Sequence, residues 1–432
     1  MSDEKELIQL LKFAQQDRES KLAQVRIESG ITTYADEDKA KEAYKRLRKK
    51  FQEWMLPENM IILSGAGTSI TLGSDGKELD SDNKKYTGKS VWKIWLVVKE
   101  AVKDIDLSVL LKQFGLYDEE HSKEADNFNL EILLSMLETF VSANRNSSED
   151  TMKKLVGDCK KLKKTIVDTL KVECELLLHD IAPHPNMLRT ILTARKRAQS
   201  RLKIFTLNYD TLFEQAAEKI NATIIDGFSF TRTPTFNGSN YDLDVVRRER
   251  SRIHHQENYE EKVFHLYKMH GSLDWEKVND TVVRRQNFTT EPLIIPPSAH
   301  KFEQSYEMPF FEMMSRFQQV LRKENTVLLI IGYSFSDSHV NRVIVEALES
   351  NLNFEVIIVS PTITRESDNE TIKKLHQKID SGQTNITLIG DTFQRFTQAM
   401  PTVVFSDDEN GSKGPEVTVN KEGTINNVDI PF

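Results

Sequence analysis

Four short segments hold the residue types that do chemistry, and each follows a run of apolar residues. Met60-Ile61-Ile62-Leu63 leads into Ser64-Gly65-Ala66-Gly67-Thr68-Ser69. Glycines at 65 and 67 would let the backbone approach a pyrophosphate, with amides at the start of the following helix facing its charge. A purely structural strand-to-loop turn would look the same. The segment lacks the Gly-Lys-Ser/Thr ending of an ATP-binding P-loop and the third glycine of the dehydrogenase fingerprint, which disfavours a kinase or ATPase. Thr206-Leu207-Asn208-Tyr209-Asp210 closes the second run. An amide and a carboxylate there would hold a ribose and a carboxamide, because ligands of open α/β sheets bind outside the carboxyl ends of the strands. Asn208 or Asp210 would serve equally as a helix N-cap ahead of Thr211-Leu212-Phe213.

His270-Gly271 closes the third run, and an imidazole at a strand end is placed to move protons. His254, His255 and His265 lack that setting and read as surface or packing residues. Gly332-Tyr333-Ser334-Phe335-Ser336-Asp337 follows the most apolar run, Thr326 to Ile331. A nucleophile elbow would need a glycine two residues after the serine, and none is there. Contact of Gly332 and Ser334 with a nucleotide ribose or phosphate fits better.

The elements that must position these segments are short apolar strands alternating with helices. Phe354 to Val359, ending at Ser360, and Asn385 to Ile389 complete the strand set, with a further short run at Leu293 to Ile295. This predicts an α/β, Rossmann-like, doubly wound and mainly parallel sheet. Residues 1–56 read as a helical segment, from the Leu7, Leu10, Leu11, Ala14 stripe and the charged run 36–56. Residues 57–405 form the domain proper, with a large helical insertion over 91–200. One insertion stripe is Leu130, Leu133, Leu134, Leu137, Phe140 and Val141. A second runs Leu155, Cys159, Leu162, Ile166, Leu170, Cys174 and Leu177, which makes both cysteines packing residues. Residues 406–432 form a polar tail.

The chain of 432 residues carries a net charge of −8, which argues against a duplex-DNA binder and sequence-specific nucleic-acid contact. The basic runs Lys45–Lys50 and Lys160–Lys164 fall in helical patterns and read as solvated faces. Two cysteines are too few for a disulfide framework or a four-thiolate zinc site, so no metal is expected. With no long apolar span and no signal-peptide core, the expectation is a cytoplasmic protein that does not enter membranes.

The four segments, in this order, resemble the sirtuins, which pair a GAG-x-S phosphate loop with Thr-x-Asn-x-Asp, His-Gly and Gly-x-Ser strand ends. The likeness is strongest to the divergent sirtuin-like domain of bacterial anti-phage defence proteins, with its Gly-Tyr-Ser-Phe-Ser-Asp element, and spans about residues 57–400. The resemblance implies that Gly65, Ala66, Gly67 and Ser69 contact the NAD pyrophosphate. Asn208 and Asp210 would be catalytic, near the nicotinamide ribose and the carboxamide, with Asn208 positioning the attacking water. Thr206 would contact the cofactor, and His270 would be the base. Gly332 and Ser334 would line the adenosine side, with Val359 and Ser360 beyond. The zinc module of the deacylases is absent, and Ile70 to Gly76 replaces their Gly-Ile-Pro-Asp-Phe-Arg loop. The expected activity is therefore NAD hydrolysis to nicotinamide and ADP-ribose, depleting NAD in anti-phage defence. The alternatives are a deacylase or ADP-ribosyltransferase, or a non-catalytic nucleotide sensor. The resemblance also implies an activating partner such as a HerA-like hexameric ATPase, and the surplus helical surface suggests a homo-oligomer.

Overall fold

The computed structural model describes residues 23–27, 30–34, 50–73, 78–80, 84–125, 128–146, 149–196, 199–246, 259–295, 308–363 and 367–400. The Leu7 to Ala14 stripe, His254, His255 and the tail lie outside them. Within the N-terminal segment, β1 (Ala23–Ile27) and β2 (Gly30–Tyr34) pair antiparallel, which corrects the helical reading there. Gly30 breaks the run and Ile31, Thr32 and Thr33 are β-branched, so the local preference is for a strand. Residues 50–55 are helical, as expected.

β3 (Asn59–Ser64) is buried at all six positions. The insertion follows: α1 (Val91–Ala101), α2 (Leu107–Gln113), a two-residue hairpin of β4 (Tyr117–Asp118) and β5 (Lys123–Glu124), α3 (Leu130–Ala143) and α4 (Asp150–Glu173). These helices close around their own core, which includes Trp95, Leu133, Leu137, Cys159, Leu162 and Ile166. The next helix, α5 (His184–Ala194), packs Met187, Leu188 and Ile191 onto the central sheet instead, so the insertion ends near residue 174 and not at 200. Cys174 also departs from expectation. It terminates α4 as its C-cap, outside the apolar core, beside Glu173 and Asp210.

The remaining elements are β6 (Leu202–Thr206), α6 (Leu212–Lys219), β7 (Thr223–Ile225), β8 (Val263–Lys268), β9 (Trp275–Val278), β10 (Thr281–Arg284), α7 (Phe310–Leu321), β11 (Thr326–Ile331), α8 (Ser338–Ser350), β12 (Phe354–Val359), α9 (Glu370–Asp380), β13 (Ile386–Ile389) and α10 (Phe393–Ala399). Leu293 to Ile295 forms no strand; its single bridge, Gly271 to Ile294, ties it to the His270 turn. The seven-stranded sheet has the order β13-β12-β11-β3-β6-β8-β7, and every neighbouring pair is parallel.

Alternation along the strands builds both faces. Met60, Ile62, Ile204, Leu329 and Ile357 face α5, α6 and α10. Ile61, Leu63, Phe205, Leu328 and Ile358 face α7, α8 and α9. Parallel strands must be covered on both sides, which is why the runs are continuously apolar. The chain builds outward from β3 in one direction through β6 and in the other through β11. Their carboxyl ends therefore flank the topological switch point, the place where ligands of open α/β sheets bind.

Candidate functional site

The Gly65–Ser69 loop sits at that point, packed backbone against backbone on the turn after β11. Gly65 N donates to Ile331 O at 3.0 Å and Gly67 N to Gly332 O at 2.8 Å. A Cβ on Gly67 would lie 2.7 Å from Gly332 Cα, and one on Gly332, whose φ is +62°, would lie 2.6 Å from Thr68 N. The glycines are required because two loops touch. The amides of Gly65 and Gly67 are thereby committed to protein carbonyls, which corrects the expectation that they face a pyrophosphate. The loop continues as one short 3-10 turn, Ala66–Ser69, and not as an α-helix. Ala66 is exposed at its tip.

Asn208 reaches this loop from the end of β6. Its Nδ2 donates towards Gly65 O (3.0 Å), Thr68 Oγ1 (3.0 Å) and Ser69 Oγ (2.8 Å), so two hydrogens are shared among three acceptors. Ser69 Oγ donates to Asp210 Oδ2 at 2.5 Å, extending a chain in which each bond polarises the next. Asp210 Oδ1 accepts from Leu212 N at 3.1 Å, so this buried carboxylate also satisfies the first amide of α6, although the N-cap position itself is Thr211 and not Asp210. Thr206 is buried, and its Oγ1 accepts from Asn208 N at 3.1 Å.

His270 follows β8, and the turn depends on Gly271, whose φ is +85° and where a Cβ would collide with Leu293 O. His270 Nε2 lies 3.3 Å from Asp337 Oδ2. Asp337 Oδ1 also caps α8, accepting from His339 N at 3.0 Å and Val340 N at 3.2 Å. Met269, Ile295, Phe310 and Met314 line a small cleft around the pair. The motif spacing alone assigns Asp337 no role; the signal in the sequence is an acid immediately before a helix.

The other expected residues are less central. Ser334 is exposed, with its Oγ 3.2 Å from that of Ser336. Val359 is buried and contributes its carbonyl, accepting from Gly332 N at 3.1 Å. Ser360 is buried, with Oγ 3.0 Å from Thr362 Oγ1. The structure thus brings together Gly65–Ser69, Thr206–Asp210 and Gly332 as one hydrogen-bonded unit, with His270 and Asp337 as a second.

The insertion borders both units. Burial, with the charges of Cys174, Glu131 and Asp337, holds the Tyr209 phenol above its ordinary range. Burial, Asp337 and Glu131 do the same to Tyr333. Glu131 belongs to the first turn of α3, so the insertion brings a carboxylate to bear on both site turns. Glu173, at the end of α4, is buried and pairs with Lys85 at 2.8 Å and Lys89 at 2.9 Å. Between those lysines, Gly88 N donates to Ser69 O at 2.8 Å. The Cys174 thiol is pushed up to about 12 by burial, then Asp210 and Glu173, which leaves it a poor nucleophile. His265, read as packing, is buried against Tyr241 and Tyr267.

The seven-stranded parallel sheet and the helices on its two faces define a Rossmann-like α/β protein. Residues 202–380 match the family model for the SIR2-like domain. A solved structure described under the structural basis for the mechanism and regulation of Sir2 enzymes aligns with 78% of this chain and 98% of its own, at 11% identity and a TM-score of 0.31. An overlay that loose supports no residue correspondence. No curated protein matched the sequence. Among the described residues, no helix is long and apolar enough to cross a membrane.

Proposed function

We propose that the crevice binds NAD and that the protein is an NAD glycohydrolase. The observation that carries this reading is the convergence of Asn208 on the Gly65–Ser69 loop and of His270 on Asp337 at one switch point. The fit to a dinucleotide rests on the rim, where Ala66, Ser334 and Ser336 offer small or hydroxyl side chains to sugar and phosphate.

In this reading the protein fixes polar groups around the C1′–nicotinamide bond. The bond breaks with its electron pair leaving on nicotinamide, and a water oxygen bonds to C1′. Asn208 presents its carboxamide oxygen to that water, its nitrogen being held by the loop. His270 accepts a proton, from the ribose hydroxyl or the attacking water, and passes it to solvent. Asp337, 3.3 Å from Nε2, orients the ring. General-base work of this kind is typically worth ~10²–10⁴-fold, and fixed dipoles add to it.

A second reading, a deacylase or ADP-ribosyltransferase acting on a protein side chain, draws support from an open groove beside α6 lined by Glu214, Gln215, Arg232, Asn287 and Thr290. Incubating the purified protein with NAD, with and without an acetyl-lysine peptide, separates the two. Nicotinamide and ADP-ribose formed without peptide support the hydrolase; products that require peptide support transfer.

Control by assembly belongs to the same proposal. Val91, Trp92 and Leu96 of α1 are exposed apolar side chains, which suits a homo-oligomer contact or an activating partner, a HerA-like ATPase among them. A fully active monomer at working concentration would contradict this part. NAD depletion in anti-phage defence is the role such control would serve.

A further inference from the structure

Lys268 is the last residue of β8, two positions before His270, and its side chain is 2% exposed. An ammonium taken out of water must be paired, or the native state is strongly penalised. Lys268 Nζ lies 3.0 Å from Glu214 Oε1 and also donates to the Asp210 carbonyl, with the Tyr209 carbonyl at 3.5 Å. Burial works against its charge, but Glu214, Asp274 and Asp210 outweigh burial and hold the ammonium above the usual lysine value.

The carbonyls it holds belong to the turn that carries Asn208. Tyr209 O also accepts from Leu273 N at 3.1 Å and Ser272 Oγ at 3.4 Å. Donors just before and just after His270 therefore grip one turn, residues 209–210. On the other side of that turn, Asp210 holds Ser69, and Ser69 holds Asn208. No other cation among the described residues is recorded donating to these two carbonyls.

We propose that Lys268 is a positioning residue that sets the placement of Asn208 relative to His270, an inference that rests on reading the crevice as the NAD site. An ion pair serving stability alone would make a different prediction. Lys268→Met leaves the half-buried Glu214 without its cation, so loss of folding would prove nothing. The Lys268→Met/Glu214→Gln double variant removes both charges and separates the roles.

The double variant is expected to regain the thermal midpoint lost in the single variant. Its kcat for NAD should still fall about 10–100-fold, the scale set by small misplacements of reacting groups, with KM little changed. Hydrogen exchange at the Leu212 and Leu273 amides, which bond to Asp210 and Tyr209, should accelerate in the same protein. Wild-type kcat together with unchanged exchange in the stable double variant would overturn the proposal. If the wild-type protein did not cleave NAD, the NAD reading would fail by itself, and the exchange result would still decide the positioning role.

Discussion

His270 Nε2 meets Asp337 Oδ2 at 3.3 Å although their parent strands, β8 and β11, are separated in the sheet by β3 and β6. The two turns reach over the strand ends that carry Asn208 and the Gly65–Ser69 loop. A histidine and a carboxylate thus meet across the strand ends, and the consequences can be measured.

Asp337 does two jobs with two oxygens, capping α8 with Oδ1 and facing His270 with Oδ2. Asparagine caps helices about as well as aspartate, so Asp337→Asn should change stability by less than about 1 kcal/mol. NAD turnover should nevertheless fall at least about tenfold, because the ring loses its charged partner. Paired thermal melts and turnover assays check both halves.

Gly67 and Gly157 make opposite predictions from the same substitution. A Cβ at Gly67 meets the Gly332 backbone at 2.7 Å, whereas one at Gly157, within α4, meets nothing within 4 Å. Gly67→Ala should destabilise by about 1–3 kcal/mol as the two loops are forced apart, and should depress turnover. Gly157→Ala should stabilise by about 0.5–1 kcal/mol with turnover unchanged. Chemical denaturation of the two variants measures the contrast.

Glu173 connects the insertion to the site through Lys85, Lys89 and the Gly88–Ser69 bond. Glu173→Gln should leave the fold intact, because both lysines retain access to water, but lower turnover several-fold. Hydrogen exchange at Gly88 should rise in the variant. Unchanged exchange and unchanged turnover would confine Glu173 to a structural role.

Buried His184 and His265 give the stability a definite pH dependence. Burial depresses each from 6.5 to about 3. Above pH 6.5 both are neutral folded or unfolded, so their contribution is fully present there. As pH falls below 6.5 the unfolded chain takes up protons that the native state refuses, and the loss continues until the folded value near 3. Each histidine contributes a slope of about 1.4 kcal/mol per pH unit in that window. Thermal midpoints from pH 7 to pH 4 should drop, and His184→Phe, which keeps the ring between Phe213 and Phe393, should flatten the drop.

The sheet was legible because burial on both faces makes each parallel strand a continuous apolar run, and the four candidate segments stand where such runs stop. Met60 to Leu63 and Thr326 to Ile331 carry that signal plainly. What the glycines do was not legible, since Gly65 and Gly67 pack against Gly332, more than 260 positions away. Lys268 looked like one lysine among many, and only the folded chain sets it beside Glu214. Cys174 fitted the helical stripe by spacing, but α4 ends one residue earlier and turns the thiol towards charges. The β1–β2 hairpin was obscured by the charged helical patterns on either side.

The central claim, that NAD is cleaved in this crevice with His270 as the base, is tested most directly by His270→Ala. NAD cleavage by the variant should be compared with wild type at equal protein concentration, after melting curves establish equal folding. The account predicts that nicotinamide release falls about 10²–10⁴-fold. Wild-type release by a folded His270→Ala protein would contradict it.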